Sequence, residues 1–166
     1  MITQTSVHAG MGELVVGCAP QTLRVISLGS CIAVFMYADD KPCSILAHVV
    51  LPQAPARIIT DHKVAKYADV AIPKMRRMML VNFHVQADKI RVKITGGAQM
   101  FAASRNDARI LHIGKRNEIA VIEALEKLSI PIIASETGGH DGRTVMFNPE
   151  TKQMEVRTST LGTNYY

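Results

Sequence analysis

Four apolar, β-branched runs crowd into the stretch from Leu14 to Pro52: "LVVG", "TLRVISL", "CIAVFMYA" and "CSILAHVVLP". Residues of this kind suit strands. The intervening "CAPQ", "LGS" and "DDKP" are turn material. Alternation of apolar and polar residues is imperfect, which predicts that several of these strands are covered on both faces.

Further along, "KYADVAIPKMRRMMLVNF" carries Tyr67, Val70, Ala71, Met75, Met78 and Met79 as a helical stripe. Pro73 inside it predicts a kink or a late helix start. The methionines read as core packing, in preference to a Met-rich binding surface. "KIRVKI" alternates strictly, as a strand does, and runs into the loop "TGGAQMF". "IGKRNEIAVIEALEKL" predicts a second helix with Ile113, Asn117, Ala120, Val121, Ala124, Leu125 and Leu128 on one face. "IPIIASE" reads as a buried strand, and "RTVMFNPETKQMEVRT" as a hairpin around "NPETKQ". No repeat or linker interrupts the chain, so residues 1–166 are expected to form one α+β domain with strands outweighing helices. A chain of this length buries about two-thirds of its unfolded surface.

Composition narrows the function. Basic residues outnumber acidic ones, 19 to 14, but they are scattered apart from "KMRRMM". Trp is absent and aromatic residues are few, so nucleic-acid binding is not expected. The basic balance suits an acidic protein partner instead. No stretch is apolar enough for membrane insertion, and the start lacks the basic-then-apolar pattern of a signal peptide. Cys18, Cys31 and Cys43 show no CxxC spacing of a zinc site or redox couple. The expectation is a cytoplasmic protein with reduced thiols. Cys18 and Cys43 then read as small buried hydrophobes.

Cys31 leaves two readings open. It is either another small hydrophobe at a strand start or a nucleophile. Gly29 and Ser30 before it give a tight entry where backbone N–H groups can point at a developing oxyanion. A thiol is mostly protonated at neutral pH and needs a base. His48, on the next apolar run, could supply one if the two strands are neighbours. A lone histidine on an apolar strand is otherwise a core residue.

"SLGSCIAV", "LAHVVLP", "KYADVAI", "ITGGAQMF", "IGKRN" and "ETGG" occur in that order, with "GMGELVV" ahead of them. In these blocks, which span nearly the whole chain, the sequence resembles the CheD family, the chemoreceptor glutamine deamidases of bacterial chemotaxis. The resemblance implies packed β-sheets in a β-sandwich-like α+β fold flanked by helices, similar to the catalytic domains of deamidating toxins. It implies hydrolysis of receptor glutamine amides to glutamate, with Cys31 as nucleophile and His48 as its histidine. It further implies chemoreceptor cytoplasmic helices as substrate and a CheC-type phosphatase as a partner.

One position departs from the family pattern. A threonine is expected six residues before the cysteine, and Val25 stands there. Ser27 shares the parity of Cys31 in an extended segment and is the candidate to orient His48. A backbone carbonyl could serve equally well. "TGGAQMF" is either a close backbone approach to substrate or a strand-ending turn. Arg116 and Asn117 are expected to fix the helix start, and "ETGG" (Glu136 to Gly139) to be a turn first and a pocket wall second. Receptor glutamines project from helices, which calls for a shallow approach to Cys31. Two alternatives to the deamidase stand: a transglutaminase or small-amide hydrolase of the same mechanism, and a regulatory binder of a CheC-type phosphatase with little catalysis.

Overall fold

The structure, a computed structural model, describes residues 5–56, 63–100 and 112–166. Part of "TGGAQMF" and the segment joining it to the second helix lie outside the described residues. The described strands, in chain order, are β1 (Ser6–His8), β2 (Leu14–Cys18), β3 (Thr22–Leu28), β4 (Ile32–Tyr37), β5 (Cys43–Val49), β6 (Arg91–Gly96), β7 (Ile132–Thr137), β8 (Arg143–Phe147), β9 (Met154–Thr158) and β10 (Gly162–Tyr165). Two α-helices, α1 (Ala68–Val81) and α2 (Ile113–Lys127), and a 3-10 turn at Ala87–Lys89 complete the set. One sheet runs β1-β3-β8-β9-β10 and the other β2-β5-β4-β6-β7. The architecture is α+β, as expected.

The imperfect alternation of the first third has a direct structural cause. Every residue of β4 is buried. Ile32, Val34 and Met36 face a core shared with α1 and α2, where Ile72, Met75, Met79, Val121 and Leu125 meet them. Ala33, Phe35 and Tyr37 face a second core against the other sheet, which contributes Leu23, Val25, Val145 and Phe147. Phe35 and Phe147 stack across that gap with ring centroids 5.0 Å apart. A strand enclosed between a sheet and a helix layer has no solvent face on which to place polar residues.

α1 begins ahead of Pro73 and continues through it, with Met75 and Met79 in the core as anticipated. The hairpin around "NPETKQ" forms as β8 and β9. β7 differs from expectation. It is an edge strand, and Ile133 on it is 51% exposed. Cys18 and Cys43 also differ. They lie opposite one another across the antiparallel β2–β5 pair and are joined by a disulfide. Their separation of 25 residues hides this, because only the strand register brings them face to face. Cys31 is the free cysteine. No helix among the described residues is long and apolar enough to cross a membrane.

Candidate active site

Register decides whether Cys31 and His48 can meet. His48 on β5 pairs with Ala33 on β4. Side chains alternate along a strand, so Cys31, two residues before Ala33, projects to the same face as Ala33. His48 shares that face because it lies directly across from Ala33. It is the face turned to the other sheet, and Cys31 belongs to the core between the sheets. Diagonal neighbours of this kind have backbones about 7–8 Å apart, which leaves thiol and imidazole within reach of each other by side-chain rotation. No hydrogen bond joins them in the resting structure. Cys31 is 9% exposed and His48 4%, so the thiol is recessed and does not present the shallow approach expected from the sequence.

The histidine is held from behind. Its Nδ1 lies 3.2 Å from the carbonyl oxygen of Ala9. A carbonyl accepts only, so Nδ1 carries the proton and Nε2 is left as the basic nitrogen. The turn that supplies Ala9 is locked onto the same strand. Gly12 N–H donates to the His48 carbonyl at 2.9 Å, and His48 N–H donates to the Glu13 carbonyl at 3.0 Å. Burial pushes the His48 pKa down, against smaller opposing effects of the Ala9 hydrogen bond and the Glu13 charge. Burial pushes the Cys31 thiol up. Both groups are therefore uncharged at neutral pH, which is a thiol with a waiting base and not a preformed ion pair.

This has a consequence for acid stability. The unfolded chain protonates His48 near its ordinary pKa of 6.5, while the folded chain resists until lower pH. Between those two values the unfolded state binds more protons, so stability is full above pH 6.5 and falls as pH drops through the window. Urea midpoints should decline across that range in the wild type, and His48→Gln should flatten the decline. An identical slope in the variant would show that His48 does not titrate differently on folding.

Ser27 does not take the orienting place. The β3–β8 register shifts between Val25 and Leu28, and Ser27 sits at the irregularity with φ +57°. The segment is not regularly extended there, so parity with Cys31 is lost and Ser27 is exposed. Val25, at the position where the family carries threonine, is fully buried opposite Val145. The group that holds the imidazole is the Ala9 carbonyl.

The loop before Cys31 is clamped from two sides. Gly97 N–H donates to the Cys31 carbonyl at 2.8 Å and Ala98 N–H to the Gly29 carbonyl at 3.0 Å. Gly96 has φ +117°, and a Cβ there would stand 2.2 Å from the Cys31 oxygen. The paired glycines of "TGGAQMF" thus let backbone approach the cysteine itself. From the helix side, Asn117 Nδ2 donates to the carbonyls of Ser30 and Val50, both at 2.9 Å. Its expected part in fixing the helix start is not what it does. α2 starts after His112, a left-handed residue without a side-chain cap.

Glu136 is a residue the sequence reading passed over as turn material. Its carboxylate accepts from Thr95 Oγ1 at 2.7 Å and from Arg143 Nε at 2.5 Å. Thr95 lies opposite Ala33 across β4–β6, in the same row as His48. Arg143 comes from the other sheet, so the ion pair ties the two layers together beside the site. Its only signal was a charge ending the apolar run "IPIIAS".

Comparison with known proteins agrees with the resemblance in sequence. The family described as CheD chemotactic sensory transduction matches residues 50–158. The chemoreceptor glutamine deamidase CheD of Halalkalibacterium halodurans is 42% identical over 92% of this chain and 93% of its own. The corresponding protein of Bacillus subtilis is 34% identical over 94% and 93%. A solved structure, the hypothetical protein YfiH of Bacillus licheniformis, is a partial likeness with TM-score 0.44 and 13% identity, covering 75% of this chain and 50% of that one. The family match begins just after His48, but the two relatives are similar along nearly the whole length, a span that takes in Cys31 and His48. By that extent of shared sequence, the chain belongs to the CheD family.

Proposed function

We propose that this protein is a chemoreceptor glutamine deamidase that works through a thioester on Cys31. The observation that carries the reading is the register placing Cys31 and His48 on one face of adjacent strands, with His48 Nδ1 held by Ala9. Relatives named as chemoreceptor glutamine deamidases support the substrate class. His48 Nε2 takes the thiol proton as Cys31 Sγ adds to the glutamine carboxamide carbon. The Ser30 and Cys31 amides, which donate to no backbone carbonyl outside the strand ladders among the described residues, are the donors available to the developing oxyanion. His48 then gives its proton to the departing ammonia, and the carbon–nitrogen bond breaks to leave a thioester. Water, deprotonated by the same nitrogen, opens the thioester to glutamate and returns the thiol. The chemistry as written draws on no metal or organic cofactor.

The substrate site is the cytoplasmic helices of chemoreceptors, and residues 1–166 act as one cytoplasmic deamidase domain. A CheC-type phosphatase is the proposed regulatory partner.

The test is mass spectrometry of a receptor cytoplasmic fragment after incubation with the protein. Hydrolysis through the thioester adds about one mass unit at each modified glutamine, with one ammonia released. Transfer to an amine would add the mass of that amine less ammonia. A fragment of unchanged mass would overturn the deamidase reading in favour of a binding protein.

A further inference from the structure

Asn117 is completely buried on α2, and its side chain reaches away from its own helix to two strands. Both amide protons are used, one on the Ser30 carbonyl and one on the Val50 carbonyl. That assignment fixes the orientation of the carboxamide, since only nitrogen can donate to two carbonyls. Oδ1 is then a buried acceptor without a partner among the described residues. A buried polar atom left unsatisfied opposes folding and calls for an explanation beyond packing.

The two carbonyls explain it. Ser30 immediately precedes Cys31, and Val50 lies two residues beyond His48. β4 and β5 are paired up to Ile32 and Val49, and past that point the ladder ends. The thiol therefore sits where strand hydrogen bonds no longer set its distance from the histidine strand. Asn117 spans the gap from the helix side. Gly114, one turn earlier on the same face of α2, packs so closely on the "TGG" loop that a Cβ would meet the Gly97 oxygen at 2.4 Å. Gly97 in turn holds the Cys31 carbonyl. The first turn of α2 is thus a brace under the cysteine.

We propose that Asn117 is a positioning residue of the site, setting the separation of Cys31 from His48 by bridging the frayed ends of their strands. The inference rests on the Cys–His reading above, yet it can be tested without a receptor substrate. The probe is iodoacetamide, and the readout is the alkylation rate of Cys31 against pH in the full chain. Histidine-assisted reactivity at neutral pH is the part that depends on the separation. Asn117→Ala should lower the rate at pH 7 about tenfold, toward that of His48→Ala, and shift the reactive limb to higher pH. The double variant should be no slower than His48→Ala alone, because the brace has nothing left to position. Asn117→Leu keeps the same branched skeleton, introduces no buried charge and serves if the alanine variant does not fold. It cannot donate to either carbonyl, so it should show the same coupling to His48.

A merely structural asparagine would lower the thermal midpoint while leaving the pH profile of the folded fraction in place. Additive effects of the two substitutions, or a wild-type pH profile in both Asn117 variants, would overturn the inference and leave the Cys–His reading standing. Equal alkylation rates in the wild type and His48→Ala would instead remove the Cys–His reading, and the positioning role with it.

Discussion

Cys31→Ala is expected to reduce ammonia release from a receptor fragment to the uncatalysed background while the protein stays folded. The proposed nucleophile has no substitute among the cysteines, because Cys18 and Cys43 are joined to each other and Cys31 is the free thiol. Without a covalent step, catalysis would have to rely on His48 activating water against an unactivated amide, a far poorer route. The structural penalty is small by comparison. Alanine differs from cysteine by one sulfur atom, and the loss of its contacts should cost about 1 kcal/mol. Cys18→Ala and Cys43→Ala give the opposite pattern. Each opens the disulfide, at about 2–4 kcal/mol of stability, but should leave turnover per folded molecule near that of the wild type. The measurement is ammonia release alongside urea unfolding for all three variants. Appreciable turnover in Cys31→Ala would end the thiol mechanism.

The second large effect is expected from a methyl group. Gly96→Ala places a Cβ 2.2 Å from the Cys31 carbonyl oxygen, where no real atom pair sits, and does so at φ +117°. The neighbour is backbone, so it cannot swing aside as a side-chain tip would. Relief requires β6 or the cysteine loop to move. The backbone conformation alone costs on the order of 1–3 kcal/mol for a non-glycine residue, and the clash adds to it. Loss of about 4 kcal/mol or more is expected, together with loss of turnover in whatever remains folded. Gly138→Ala is the control. It too has a positive φ, +84°, but nothing lies within 4 Å of the added Cβ. Its effect should stay near the conformational term, about 1 kcal/mol. If the two variants unfold at the same urea concentration, the close approach at Cys31 is not what Gly96 is for.

How far the sequence could be read follows from which forces act locally. β3, β4 and β5 were legible as runs of apolar residues, and α1 and α2 as stripes. Even the double coverage of β4 showed as missing alternation. β1, three residues long, and β10, exposed throughout, have no such signature because they bury little. β7 read as buried because its apolar residues say nothing about whether a further strand lies beside it. At the site, the quoted motifs pointed to Cys31 and His48, but their shared face depends on a register that no spacing encodes. Ser27 was misplaced for a local reason. A non-glycine residue with positive φ inside an apolar run leaves no compositional mark, and it breaks the parity on which the inference rested. The disulfide, the Ala9 carbonyl on His48 and the Ser30 and Val50 carbonyls that accept from Asn117 are all contacts between distant segments. They come into existence only when the sheets assemble.

The recessed thiol between two sheets also acts as a gauge of length. Cys31 is nine-tenths covered and belongs to the buried cluster that includes Val25, Leu28 and Ala33. A carboxamide can reach Sγ only if its stem spans that depth while the helix bearing it stays outside. Glutamine carries its amide on two methylene groups, and asparagine on one. On the mechanism proposed above, asparagine on such a helix would bring its amide one carbon less deep toward the buried sulfur than glutamine does. If Cys31 is the proposed nucleophile, its burial alone is then expected to favour the longer amide over the shorter, with no side chain needed to tell them apart.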